Sequence, residues 1–269
     1  MPELPEVEIV RRGLEEILSD QPTLEKVELR RPDLRTLIPI KKIRKLEGET
    51  ILAVGRRAKY LWFQTAKGYL ISHLGMTGSW RVMDDSKFGT HDHVILHFSN
   101  KLSLIYRDPR RFGIFDFSVD LKNEPFSLMG PEPFSEDFSA AYLKEKFKGK
   151  TAPIKNTLMD QKIVVGIGNI YASEILFQCG IRPQKASQKV TFMQLQKIVE
   201  ISRLVLQRAI SAGGSTLQDF AHTNGESGQF QNEFKVYAKD GQLCFVCKAM
   251  IKTQSMAGRS TFWCARCQH

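Results

Sequence analysis

Four of the five cysteines fall into two tight pairs near one end of the chain, Cys244-Phe-Val-Cys247 and Cys264-Ala-Arg-Cys267, with sixteen residues between the pairs. A CxxC segment turns sharply enough to aim both thiolates at one point. Two such knuckles present four soft sulfurs in the tetrahedral array that suits Zn2+. Four protein ligands leave no open coordination position, so the expected metal is one structural zinc and not a catalytic ion. A pair of redox-active dithiols is the alternative. The odd cysteine count argues against a secreted disulfide framework and leaves Cys179 as a spare thiol, expected to be a buried helix residue without a role. Residues 251–262 then read as a metal-tied hairpin presenting Lys252, Arg259 and Arg266 to a phosphate backbone.

The opening Met1-Pro2-Glu3 offers a second kind of chemistry. A small second residue permits removal of the initiator methionine, which would make Pro2 the terminus. An α-amino group has a pKa of ~8 against ~10.4 for lysine, so far more of it is unprotonated at neutral pH. A secondary amine that attacks an aldehyde carbon yields an iminium, an electron sink that favours elimination at the neighbouring carbon. Glu3 beside it is placed to act as acid or base. The alternative is plain helix-start chemistry, with proline in the first turn and glutamate facing the dipole.

These residues need a scaffold, and 269 residues suffice for one large domain or two ordinary ones. A composition of 42 % hydrophobic and 25 % charged residues is that of a folded globular chain. No apolar run approaches the ~18 residues of a spanning helix, and no basic stretch precedes an apolar core at the start, so neither a membrane protein nor a secretory leader is expected. Thirty-nine Lys and Arg against 29 Asp and Glu give a net charge of +10, which favours a polyanionic partner. Val7, Val10, Leu14 and Ile17 recur at helical spacing from about residue 3. Between about 24 and 117, short β-branched and aromatic runs (26–29, 51–54, 61–64, 69–73, 94–98, 102–107 and 114–117) predict an antiparallel sandwich or barrel. Residues 125–134, with three prolines and a glycine, read as a linker. Helices are expected at 139–147, at 169–179 and from Thr191, a capping residue, to about Ile210. Residues 213–230 are Gly-rich and polar and read as a long functional loop.

Several segments stand in order along the chain: MPELPEVE at 1–8, RRAKYL at 56–61, HLGMTGSW at 73–80, HDH at 91–93 and DPRRFG at 108–113. GPEP at 130–133, LMDQKIVVGIGNIYASE at 158–174, GGSTLQDF at 213–220 and the cysteine pairs continue the series. Together they make the chain resemble bacterial formamidopyrimidine-DNA glycosylase from end to end. The resemblance implies an α+β protein: an N-terminal antiparallel β-sandwich with flanking helices (1–124), a linker (125–134), a helical domain with a helix–two-turn–helix motif and a lesion loop (135–234), and a C-terminal zinc-finger β-hairpin (235–269). It implies excision of oxidised purines from duplex DNA followed by strand cleavage, in a bacterial cytosolic, nucleoid-associated monomer with no membrane partner.

Family roles pass to matching positions. Pro2 matches the nucleophile that attacks C1′, Glu3 the acid that helps open the deoxyribose ring, Lys59 the proton donor of β-elimination and Arg259 the donor linked to δ-elimination. His91, Arg110 and Lys150 match DNA contacts, Asn169 a phosphate ligand at a helix start, and Lys155 a lysine near the damage site. Lys150 and Lys155 lie in a variable stretch. Met76, Arg110 and Phe112 match the side chains that fill the gap left by an everted nucleotide. The zinc ligands are Cys244, Cys247, Cys264 and Cys267.

The residues also support other readings. Arg56, Arg57 and Lys59 also fit a solvated charged edge, and Met76 and Phe112 also fit a core. His91, His93 and His97 alternate as if on one sheet face and could suggest a metal, although phosphate contact fits better. GIGNIY fails as a dinucleotide fingerprint because Tyr171 replaces the third glycine. An endonuclease VIII-like enzyme for oxidised pyrimidines and a non-catalytic zinc-finger DNA-binding protein are the competing functions.

Overall fold

The computed structural model of the chain describes residues 2–83, 88–215 and 228–269. They form two compact units: Met1–Ser127 with Ala212–Gln231, and Leu128–Ser211 with Asn232–His269.

The first unit opens on α1 (Leu4–Ile17). Proline is tolerated in its first turn, where an amide would lack a helical partner. Glu3 caps it, and the Glu6 carboxylate reaches back to accept from the Glu3 N–H at 2.9 Å. The helix thus starts one residue after the position read from the sequence, because Glu3 is its cap. Val7, Val10 and Leu14 bury one face, while Glu8 pairs with Arg11 and Arg12 on the other.

After β1 (Leu24–Leu29) and the short α2 (Ile40–Ile43) come seven strands: β2 (Ala53–Arg57), β3 (Tyr60–Thr65), β4 (Gly68–His73), β5 (Ser79–Val82), β6 (Asp92–Phe98), β7 (Ser103–Arg107) and β8 (Ile114–Ser118). They make two four-stranded antiparallel sheets, ordered β1-β6-β7-β5 and β2-β3-β4-β8. Leu61, Phe63 and Phe115 of one sheet share a core with Trp80, Leu96, Phe98 and Leu104 of the other and with Val7, Val10 and Leu14 of α1. Of the two expected architectures this is the sandwich. Each such buried side chain contributes about 1.5–3 kcal/mol. Helix α1 packs on β2 and β3, which fixes the start of the chain to the hairpin carrying Lys59.

The second unit contains α3 (Ala140–Phe147), α4 (Ile154–Leu158), α5 (Asn169–Cys179) and α6 (Phe192–Ser211), then β9 (Ile251–Met256) and β10 (Arg259–Cys264). Ser139 caps α3 by accepting from Tyr142 N–H at 3.2 Å. Thr191 and Gln194 cap α6 reciprocally, at 3.3 and 3.1 Å. Helix α6 packs on α3 and α5, and α5 packs on β10. The Glu174 carboxylate on α5 accepts from the N–H groups of Lys235, Val236 and Tyr237 at 2.9–3.0 Å, which anchors the chain entering the cysteine module. Burial nevertheless outweighs those three donors and pushes its pKa up.

The boundary between the units falls inside the expected linker. The second half of that segment is pinned, with Gly130 N–H donating to Gln161 O at 2.8 Å and Arg203 to Pro133 O at 3.0 Å. Residues 212–231, read from the sequence as part of the helical domain, group with the first unit. There Ser215 donates its N–H and hydroxyl to Glu6 Oε1 at 2.8 and 2.9 Å. Most of the expected lesion loop, residues 216–227, lies outside the described residues.

Candidate active site and metal centre

In the first unit Pro2 and Glu3 are both buried at the start of α1. One Glu6 carboxylate sets this corner: Oε2 takes the N–H of the peptide that follows Pro2, and Oε1 takes Ser215. Ala58 and Lys59 form the two-residue turn between β2 and β3. Ala58 adopts φ +55°, a left-handed conformation that glycine or asparagine usually supplies in such a turn. Arg56 pays that turn's orientation back to α1, donating to Ala58 O at 2.8 Å and to Glu8 Oε2 at 3.2 Å. Burial raises the Glu8 pKa, but its bonds to Arg11 and Arg12 and the charge of Arg56 outweigh this and hold it below the usual carboxylate range. The 56–59 cluster is therefore no solvated edge: Lys59 itself is only 7 % exposed.

His73 was not singled out from the sequence, yet it faces Tyr60 across β3–β4 with ring centroids 4.6 Å apart. Its Nδ1 accepts from Gly75 N–H at 3.0 Å, which leaves the proton on Nε2. Burial, with the charges of Lys59 and Arg35, pushes its pKa down to about 4, so it is neutral at pH 7.

A second cluster is organised by Asp108, fully buried and also missed by sequence reasoning. Its Oδ1 accepts from the Thr77 hydroxyl at 2.6 Å and its Oδ2 from Gly113 N–H at 2.7 Å; its carbonyl meets His93 Nε2 at 2.9 Å. This frame shapes the 108–113 loop, where Arg111 turns the chain at φ +58° and the Arg110 guanidinium lies 5.0 Å over the Phe112 ring. The neighbouring loop carries Met76, and Gly75 permits the contact between the two. A Cβ there would stand 2.4 Å from the Phe112 carbonyl carbon. Met76 and Phe112 are 37 and 39 % exposed, which removes the core reading and leaves two apolar side chains at the surface, Phe112 with a guanidinium over its ring. His91 is partly exposed, and its carbonyl accepts from Asp108 N–H at 3.0 Å. His97 is engaged by Ser103 Oγ at 2.9 Å and by Glu28. Among the described residues, the cluster suited to hold a metal comprises the four cysteines and no histidine.

In the second unit the four Sγ atoms lie within 4.8 Å of one another, with Cys244–Cys267 at 3.9 Å and Cys247–Cys264 at 3.4 Å. A zinc ion with sulfurs at ~2.3 Å requires tetrahedral edges of about 3.8 Å, so the donor set fits. Between the knuckles, β9 and β10 pair from Ile251–Cys264 to Met256–Arg259 through an Ala257-Gly258 turn, with both residues at positive φ, and Arg259 is exposed beside that turn. Asn169 opens α5, and its Nδ2 donates to Ser260 O at 3.0 Å. Lys150 is partly exposed ahead of α4, whereas Lys155, inside α4, is fully buried.

Three family models match the chain: the formamidopyrimidine-DNA glycosylase N-terminal domain over residues 1–115, the formamidopyrimidine-DNA glycosylase H2TH domain over 129–221, and the zinc finger found in FPG and IleRS over 241–269. The formamidopyrimidine-DNA glycosylase of Bdellovibrio bacteriovorus is 53 % identical over 269 residues, covering all of both chains. That of Vibrio vulnificus strain CMCP6 is 44 % identical over 270 residues, again covering all of both. Among solved structures, Lactococcus lactis Fpg in complex with abasic-site DNA is similar at a TM-score of 0.90 and 36 % identity, covering 99 % of each chain. MutM in complex with DNA containing carbocyclic 8-oxo-G is similar at the same TM-score, identity and coverage.

Proposed function

The chain belongs to the formamidopyrimidine-DNA glycosylase family, and from that premise we propose that it is a repair enzyme that excises 8-oxoguanine and formamidopyrimidines from duplex DNA and nicks the strand by β,δ-elimination. The observation that carries the reading is the buried Pro2–Glu3 corner, held by Glu6 and fixed through α1 to the hairpin that bears Lys59.

A base inside a duplex is out of reach, so the damaged nucleotide must swing out, at a cost of a few kcal/mol. Met76 and Phe112 are apolar, exposed and carried on neighbouring loops, which suits them to fill the vacated space, and Arg110, stacked on Phe112, can hydrogen-bond the orphaned partner base. With Met1 removed, the Pro2 nitrogen attacks C1′, and the N-glycosidic electron pair leaves with the base, which takes up a proton. Glu3 donates to the ring oxygen as the sugar opens, giving a cationic iminium between Pro2 and C1′. Loss of a C2′ proton then expels the 3′ phosphate, with Lys59 managing protons. A second elimination, aided by Arg259, expels the 5′ phosphate, and water releases Pro2. Lys150, His91 and Asn169 are assigned to DNA contacts, Asn169 at a helix start that favours anions. Zinc, when bound by Cys244, Cys247, Cys264 and Cys267, supplies a closed structural cross-link that ties the Arg259 hairpin to its knuckles. The protein is read as a bacterial cytosolic, nucleoid-associated monomer, and no helix among the described residues is long and apolar enough to cross a membrane.

Borohydride reduction during turnover of a duplex carrying 8-oxoguanine opposite cytosine tests the mechanism. A covalent adduct mapped to Pro2 is expected, and Pro2→Gly should lower its yield by about 100-fold or more. An adduct mapped to an internal lysine would overturn it.

A further inference from the structure

Lys155 lies on α4 with none of its surface exposed. Its ammonium donates to Asn169 Oδ1 at 2.5 Å, to Thr261 Oγ1 at 2.8 Å and to Ser260 O at 3.4 Å. Asn169 Nδ2 donates to the same Ser260 carbonyl at 3.0 Å. One cation therefore joins α4, the first residue of α5 and strand β10, and it joins them next to Arg259. The exposed end of a two-stranded hairpin is a weakly held element, because few of its backbone groups face a packed layer. Here the start of β10 is gripped from the side at Ser260 and Thr261. The grip also fixes the Asn169 amide, with Oδ1 turned to Lys155 and Nδ2 to Ser260.

We infer that Lys155 is a positioning residue, which locks Asn169 and the Arg259 strand into one rigid element so that both meet consecutive DNA phosphates in register. It acts through those two groups and makes no phosphate contact of its own. This inference rests on the proposed function's reading of Asn169 as a DNA contact and of Arg259 as the residue that aids loss of the 5′ phosphate.

The discriminating measurement is a mutant cycle in the full-length, zinc-loaded protein, reading affinity for a duplex that carries a tetrahydrofuran abasic analogue. Lys155→Met keeps the volume and removes the charge. It should weaken binding about tenfold in the otherwise wild-type chain and less than about twofold in an Asn169→Ala/Arg259→Ala background, because coupled groups are non-additive. Thr261→Val removes one arm of the grip and leaves the lysine in place. It should show a smaller loss with the same background dependence, and it stands in for Lys155→Met if that variant does not fold. A full loss retained in the double-variant background would mean direct contact and would overturn the inference, as would wild-type affinity in both single variants. Wild-type binding and borohydride trapping report separately on the underlying function, so its failure is distinguishable from failure of the cycle.

Discussion

His73 shows how a single side chain in this site couples charge to stability. Its Nδ1 is occupied by Gly75 N–H, Tyr60 covers its ring, and burial with the nearby Lys59 and Arg35 charges holds its pKa near 4. In the unfolded chain the group titrates near 6.5. Between those values the unfolded state carries more protons, so stability rises with pH across the window and falls on acidification, by up to about 3 kcal/mol for a shift of this size. Urea unfolding at a series of pH values from 7 down to 4.5 should show this loss, and His73→Gln should flatten it. The variant loses stability at pH 7, so the slope is the readout. Glu8, whose pKa is lowered, contributes stability that is present above the ordinary carboxylate pKa and is lost only as pH falls below it, outside most of the histidine window. Parallel pH dependences for the two proteins would contradict the assignment.

At the scale of elements, the zinc hairpin is the part that cannot stand alone. Among the described residues, strands β9 and β10 pair only with each other, and the small cluster of Phe177, Val236, Ile251 and Phe262 beneath them includes Cys244 and Cys264. Removing zinc leaves four thiols where a cross-link stood, and binding energy at such sites is folding energy. Chelation followed by hydrogen exchange should strip protection from β9 and β10 while β3, β4 and β7 keep theirs, with DNA affinity falling about tenfold or more as Arg259 loses its support. Unchanged exchange in β9 and β10 after verified zinc loss would refute it. The hairpin was legible because cysteine spacing is a local signal, and α6 was legible because its apolar stripe runs for several turns. Strand β5 was not, since four residues with one buried Trp80 are too short for an alternation. Strand β2 was placed two residues early because Arg56 and Arg57 read as a charged edge, and the Ala58-Lys59 turn lacks the usual glycine. The supporting contacts were hidden for another reason: Glu6 meets Ser215 209 positions away, and Lys155 meets Thr261 106 positions away. No periodicity reports a pairing at that range.

The whole molecule carries a charge of +10, a property fully readable from composition, and that surplus has a measurable consequence for a DNA enzyme. Each phosphate neutralised by a lysine or arginine releases condensed counterions, so the logarithm of affinity falls with the logarithm of salt by about 0.9 per contact. Assigning phosphate contacts to Lys150 and Arg259 and allowing for further basic side chains predicts a slope steeper than about −2 for an abasic-analogue duplex. The variants then separate by charge. Lys150→Ala and Arg259→Ala should each make the slope shallower by about 0.9, whereas Asn169→Ala should weaken binding at every salt concentration and leave the slope unchanged, because a neutral amide displaces no ion. Met76→Ala should behave like Asn169→Ala, since wedging into a stack is apolar work. A slope near zero for the unaltered protein would mean that its positive surplus is not where the duplex lies. A slope changed equally by all four substitutions would mean that they act by loosening the fold and not by losing individual contacts.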